Sequence, residues 1–213
     1  MEVRDQILAA ATRQFAQNGF DGTTLQTISD EVGIRKPSLL YHFPSKDALR
    51  VAVHQKMLDH WNEALPRLLQ AATSGEGQFD AVVSEMVAFF TRDPDRARLI
   101  VREVLDRPTE VSVILDSHVR PWVDIVCNYI KKGQERGAIY EDVDPEAYVV
   151  QVINLVVASV ATHACIGELV PEAQRGKVHR RHIDELVRVA KASLFKTVTT
   201  PAAPAARARR ASR

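Results

Sequence analysis

Between positions 35 and 46 the chain places Arg35, Lys36, Ser38, Tyr41, His42 and Lys46, with no acidic residue among them. A guanidinium, two ammonium groups, two hydroxyls and an imidazole are all hydrogen-bond donors, suited to phosphate oxygens and to base edges. Arg is the side chain that pairs bidentately with guanine, so Arg35 is assigned to reading sequence and Lys36 to holding the backbone. This is binding chemistry. The residue types of a catalytic triad occur at Asp116-Ser117-His118, but neighbours along a helix point in different directions. His179 and His182 stand three apart beside Arg180 and Arg181, which reads as a solvated face. HExxH, GxSxG, a phosphate loop, a dinucleotide fingerprint and a Glu-x-x-His pair are all missing. No catalytic residue, metal site or cofactor is expected, and a cofactor-like ligand such as an acyl-thioester is compatible with the missing motifs.

The donors need a scaffold that presents them. Ile7, Leu8, Ala11 and Phe15 recur at helical spacing, and Asn18-Gly19 ends that helix. Thr23 or Thr24 can cap a second helix through Ile28 to Val32, which Gly33 terminates. A third begins at Lys36-Pro37 and runs to about Phe43, small enough to enter a major groove. Leu39 and Phe43 are packing residues, and Tyr41 is either a phosphate ligand or an aromatic at the core edge. Ser45 caps a longer helix, with Asp47 in its first turn and Leu49, Val53, Met57, Trp61, Leu65 and Leu68 on one face. Pro66 removes a helical hydrogen bond, so a bend is expected there. Residues 73–77 read as a loop. Helices follow over Phe79–Thr91, Pro94–Asp106, Thr109–Arg136 with an interruption at Pro121, Pro145–Gly167 and Gln174–Thr197. No strand or repeat is visible, so the fold class is all-α, and the tail TTPAAPAARARRASR reads as disordered.

Composition agrees. Of 213 residues, 46% are hydrophobic, enough for a substantial core. The formal net charge of +1 hides an asymmetry: the tail from Val198 carries four arginines and no acid, leaving 24 basic against 27 acidic residues in the body. Nucleic-acid binding must then come from a local patch. Cys127 and Cys165 do not form a disulfide framework, and the charged N-terminus has no apolar leader, which together suggest a cytoplasmic protein. The apolar run from Tyr148 to Val170 is long enough to span a membrane. Gln151, Asn154, His163 and Glu168 interrupt it, so it reads as a core or interface helix.

The segment Ile7–Leu49 resembles the DNA-binding domain of the tetracycline-repressor (TetR) family. Ile7, Leu8, Ala11, Phe15, Gly19, Thr24, Ile28, Val32, Gly33, Leu39, Tyr41, His42, Phe43, Ser45, Lys46 and Leu49 match that family's pattern in order and spacing. The resemblance implies a ligand-responsive repressor with a helix-turn-helix domain at 1–47, a helical ligand-binding and dimerisation domain at 48–197 and a basic tail at 198–213. Its implied partners are double-stranded palindromic operator DNA, a second copy of the chain through helices 145–167 and 174–197, and a small-molecule effector of unknown identity. It implies that Thr24 meets a phosphate, that Lys36 and Ser38 work at the groove edge, and that Tyr41, His42 and Lys46 contact the backbone. Pro37 stands where the family often has Gly and cannot donate. Leu40 stands where an aromatic is frequent, and Arg35 replaces a small capping residue. For the ligand cavity the candidates are Trp61, Phe89, Phe90, Arg102, His118, Trp122, Tyr129 and His163. An architectural DNA-binding protein, with the basic tail adding affinity without sequence preference, is the alternative.

Overall fold

The structure is a computed structural model that describes residues 2–71, 75–172 and 175–196. The basic tail, Thr73-Ser74 and the two ends of the last expected helix lie outside the described residues.

Three helices form the N-terminal unit: α1 (Val3–Gly22), α2 (Leu25–Val32) and α3 (Lys36–His42). Helical geometry breaks at Gly19 (φ 74°, ψ 170°), in a region that only glycine adopts without strain, so the chain reverses where Asn18-Gly19 signals it. The buried Thr23 hydroxyl donates to the Gly19 carbonyl at 2.7 Å and fixes the reversal. Thr24 caps α2 reciprocally: its hydroxyl accepts the Thr27 N–H at 3.1 Å, and the Thr27 hydroxyl accepts the Thr24 N–H at 3.2 Å. Gly33 closes α2 in the left-handed conformation (φ 76°, ψ 28°).

The long α4 (Lys46–Ala71) runs through Pro66, and its first residue positions belong to the N-terminal core. Leu49 and Val53 pack with Ile7, Phe15, Ile28, Leu39 and Phe43. Burying each such side chain contributes about 1.5–3 kcal/mol. Leu99, from α6 (Pro94–Asp106), enters the same cluster, so the larger part of the chain completes the core of the smaller.

The larger part continues with α5 (Gly75–Thr91), α7 (Pro108–Ile114), α8 (Arg120–Glu135), α9 (Pro145–Ala161), the short α10 (His163–Ile166) and α11 (Arg175–Leu194). Three boundaries differ from the sequence expectation. Gly75–Gly77 is helical rather than loop. Lys191 Nζ holds Glu76 at 3.2 Å and Asp80 at 2.9 Å, and Gln78 donates to the Leu69 carbonyl, so tertiary ties outweigh the poor propensity of glycine. The interruption near Pro121 is a π-helical turn, Leu115–Val119, just before the proline. Pro121 itself sits in the first turn of α8, and the Arg120 N–H reaches back five residues to the Leu115 carbonyl. The apolar run from Tyr148 is broken at Thr162, whose hydroxyl bonds the Ala158 carbonyl, and the chain bends by 61° there. No single helix among the described residues is long and apolar enough to cross a membrane. The one β pairing among them is an isolated antiparallel bridge, Ile139–Phe195, which ties α11 to the turn after α8.

Candidate DNA-recognition surface and effector cavity

Helix α3 is anchored from below and open above. Leu39 and Phe43 point into the core, while Arg35, Lys36, Ser38 and Tyr41 are exposed. Arg35 occupies the cap position with no side-chain capping bond, and Pro37 lies in the first turn, where a missing N–H costs nothing. The side chains of Arg35, Lys36 and Ser38 have no hydrogen-bond or ion-pair partner among the described residues. Tyr41 is 88% exposed and lies roughly perpendicular to the half-buried His42 ring, 5.4 Å between centroids; exposure this high excludes packing at the core edge. Lys46 is placed differently. Its ammonium donates to the carbonyls of Phe20 at 2.8 Å and Thr23 at 2.9 Å and lies over the Phe20 ring, so two of its three donors are used inside the chain. Thr24 is exposed beside this face, its hydroxyl engaged in the cap.

Behind α4 the larger part encloses a cavity of about 540 Å³, in the range of small-molecule sites. Trp61, Phe89, Phe90, Trp122 and Tyr129, five of the ligand-site candidates, line it. Trp61 packs edge-on to Phe89 at 5.6 Å, and the Trp122 indole donates to Asn62 at 3.0 Å. Three candidates lie elsewhere. Arg102 reaches across to the N-terminal unit, where it donates to the Gln17 carbonyl at 3.0 Å and abuts Gly19. His118 sits in the π turn with Nδ1 2.8 Å from the Ser117 hydroxyl and is not part of the cavity wall. The Ser117 hydroxyl bonds the Val113 carbonyl, so this pair forms no triad. His163 follows the break at Thr162, outside the cavity wall, and its ring meets that of His179 at 4.0 Å between centroids, tilted by 57°.

The cavity wall includes His54 and Glu103, which the sequence reading did not single out. Glu103 is buried and bonded to the equally buried Arg50, with Arg50 Nε 2.9 Å and Nη2 2.7 Å from Oε2. Arg50 also pairs with Glu110, and His54 Nε2 lies 3.7 Å from Glu103. Burial holds the His54 imidazole below its ordinary value, and the Arg50 charge adds to this against the pull of Glu103. Through these groups α4 is clamped to α6 and α7. Arg107 at the end of α6 pairs with Asp21 and stacks on Phe20, and Lys56 of α4 pairs with Asp5 at 2.6 Å. A partial signal lay in register: Arg50 stands three residues from the buried Val53 and Glu103 four from the buried Leu99, whereas the neighbours of His54 at those spacings are Arg50, Met57, Leu58 and the exposed Val51.

On the opposite side, α9 buries Val149, Val152, Val156 and Val160 in its own chain and leaves Val150 and Leu155 exposed, with Val189 exposed on α11.

Residues 7–53 match the family described as "Bacterial regulatory proteins, tetR family", and residues 76–189, more than half of the chain, match "Tetracyclin repressor-like, C-terminal domain". The chain belongs to the TetR family. Members of this family are transcription regulators that bind operator DNA, typically as dimers that respond to small-molecule effectors. The chain is 51% identical over 55 residues to the HTH-type transcriptional regulator RutR of Escherichia coli K12. That stretch is 26% of each protein, so it covers about a quarter of that relative's length. It is 27% identical over 148 residues to the HTH-type transcriptional repressor KstR2 of Mycolicibacterium smegmatis, spanning 66% of this chain and 69% of the relative. The solved structure of the ketosteroid transcriptional regulator KstR2 of Mycobacterium tuberculosis superposes with a TM-score of 0.70 at 15% identity, over 92% of this chain and 96% of that one. The all-α architecture, with a helix-turn-helix followed by a helical C-terminal domain, is the architecture of TetR-family proteins.

Proposed function

We propose that this TetR-family chain is a ligand-responsive repressor. It binds a palindromic operator as a homodimer and leaves it when a small molecule fills the cavity behind α4. The observation that carries the reading is the pairing of a donor-rich, partner-free face on α3 with a buried ion pair, Arg50–Glu103, that reaches the cavity wall. Arg35 reads base edges. Lys36, Ser38, Tyr41 and His42 hold phosphates, Thr24 meets one at the start of α2, and Lys46 contributes its remaining N–H. Such a domain alone covers little DNA, and two copies on a two-fold axis set half-sites about 34–36 Å apart or a multiple of that. The exposed apolar side chains of α9 and α11 supply the dimer face, as a four-helix arrangement with their mates. Residues 1–47 form the DNA-binding domain and 48–197 the ligand-binding and dimerisation domain, with α4 as the mechanical link. The described relatives are transcription regulators, which supports regulation over catalysis, and the place of action is the cytoplasm, where the operator is.

Release is a population shift: the ligand must bind the DNA-incompetent arrangement better than the competent one. The test is a gel-shift titration with DNA from upstream of the gene against scrambled competitor at two salt concentrations. Sequence-selective binding supports the reading. Equal binding to both sequences, falling steeply with salt, replaces it with an architectural role.

A further inference from the structure

The cavity is apolar along most of its length, but its two ends differ in charge. Its lining on α4 runs from His54 to Leu69, which at 1.5 Å per residue is about 22 Å of helix axis. The end nearest the DNA-binding helices holds His54 and Glu103, the latter committed to Arg50. The far end is walled by the last turns of α8, close to Ile139 and Phe195. There Lys132 and Arg136, four residues apart on one helix face, belong to the wall. Both are exposed, and neither side chain has a hydrogen-bond or ion-pair partner among the described residues. Cations are favoured near a helix C-terminus, and Lys132 is the basic residue of the last turn of α8. The helix end therefore explains a cation there, and not why two of them belong to the cavity wall.

We infer that the ligand is an elongated amphiphile with an anionic head, its apolar body lying along α4 and its carboxylate or phosphate seated between Lys132 and Arg136. The inference rests on the reading of this cavity as the effector site. The opposite orientation would set an anion beside the Glu103 carboxylate in an apolar surround, where an unpaired charge is costly. At the Lys132–Arg136 rim the head stays partly hydrated and gains charge-assisted hydrogen bonds. A neutral apolar ligand leaves both cations unused, and a cationic one is repelled.

Trp61 and Trp122 are the two tryptophans of the chain and both line the cavity, so intrinsic fluorescence reports occupancy without DNA. The full chain is titrated with tetradecanoate, tetradecyl phosphate, tetradecanoate methyl ester and tetradecylamine, all below their micelle thresholds. Saturable binding of the two anions is expected, with ester and amine about tenfold weaker; the stronger of the two anions identifies the head. In the double variant Lys132→Glu/Arg136→Glu the preference should invert toward the amine, with the helical circular-dichroism signal retained. Equal binding of all four probes, no binding of any, or an unchanged preference in the variant overturns the inference. Selective binding that leaves operator affinity unchanged upholds the amphiphile site and removes the effector reading. Operator release by a compound without an anionic head that occupies the cavity does the reverse.

Discussion

The Arg50 guanidinium and the Glu103 carboxylate meet inside the protein, 2.7 Å apart at Nη2 and Oε2, with each side chain 7% exposed. Two charges removed from water are tolerable only together. Losing one partner strands the other, at a cost of about 3–5 kcal/mol, whereas an apolar pair of similar volume is often neutral or better. Glu103→Ala should therefore lower stability by about 3–5 kcal/mol, somewhat softened by the Arg50–Glu110 contact. The double change Arg50→Met/Glu103→Leu should recover most of it. Urea unfolding followed by circular dichroism checks both. A Glu103→Ala protein as stable as the parent would mean that Glu110 alone satisfies Arg50.

The reason this pair escaped the sequence reading bears on how much the sequence can say. Gly19, Thr24 and Gly33 stood out because their roles are local, in a reversal, a cap and a stop that neighbouring residues define. Pro94 and Asp106 bounded α6 correctly on the same grounds. Arg50, His54, Glu103, Lys132 and Arg136 acquire their roles only when α4, α6 and α8 come together, and a charged residue on a helix reads by default as solvated. Arg102 shows the converse: in sequence it sits among arginines near cavity residues, yet the packing of α6 on α1 sends it to the Gln17 carbonyl. The π turn and the break at Thr162 depend on which backbone bonds survive in the folded chain, beyond what apolar periodicity reports.

Gly19 sits at φ 74° and ψ 170°, and a Cβ placed there would lie 3.2 Å from Arg102 Nη1. Gly19→Ala should cost about 1–3 kcal/mol, from the backbone region alone. Arg102→Ala in the same background should not restore the loss, because the strain is in the backbone. Thermal unfolding of the single and double variants separates the two contributions, and full rescue by Arg102→Ala would place the cost in the side-chain contact instead.

On α3 the prediction divides by chemistry. Arg35→Ala should weaken operator binding by about 1–3 kcal/mol and narrow the gap between operator and scrambled DNA. Lys36→Ala should weaken both DNAs alike and reduce the salt slope by about one. Tyr41→Phe should weaken both by about tenfold with no change in melting temperature, since the 88% exposed ring carries almost no packing. Fluorescence anisotropy with labelled duplexes at two salt concentrations reads all three. Equal loss on both DNAs for Arg35→Ala would transfer base reading to another residue.

Leu155 is 45% exposed on the outer face of α9, with Val150 on the same helix and Val189 on α11. If these side chains form the dimer face, Leu155→Asp places a charge in a desolvated interface, and the assembly should dissociate at micromolar concentration. Light scattering coupled to size exclusion reads the mass. A variant that remains a dimer would move the interface elsewhere on the surface.

His54 gives the pH prediction. Burial, reinforced by Arg50, holds its imidazole below 6.5, so the folded chain favours the neutral ring. As pH falls through 6.5 the unfolded chain takes up the proton first, and stability declines until the lowered folded value is reached. Above 6.5 this group contributes no slope. His179 is depressed in the same direction, by burial and then by His163 and His182, so it adds to the same acid-side loss. The melting temperature should therefore drop as pH falls below about 6.5, less so in His54→Gln, and least in His54→Gln/His179→Gln. Because His54 also lines the cavity, ligand affinity should show acid sensitivity that His54→Gln removes. Identical melting profiles in parent and double variant would mean that neither ring stays neutral on account of its surroundings.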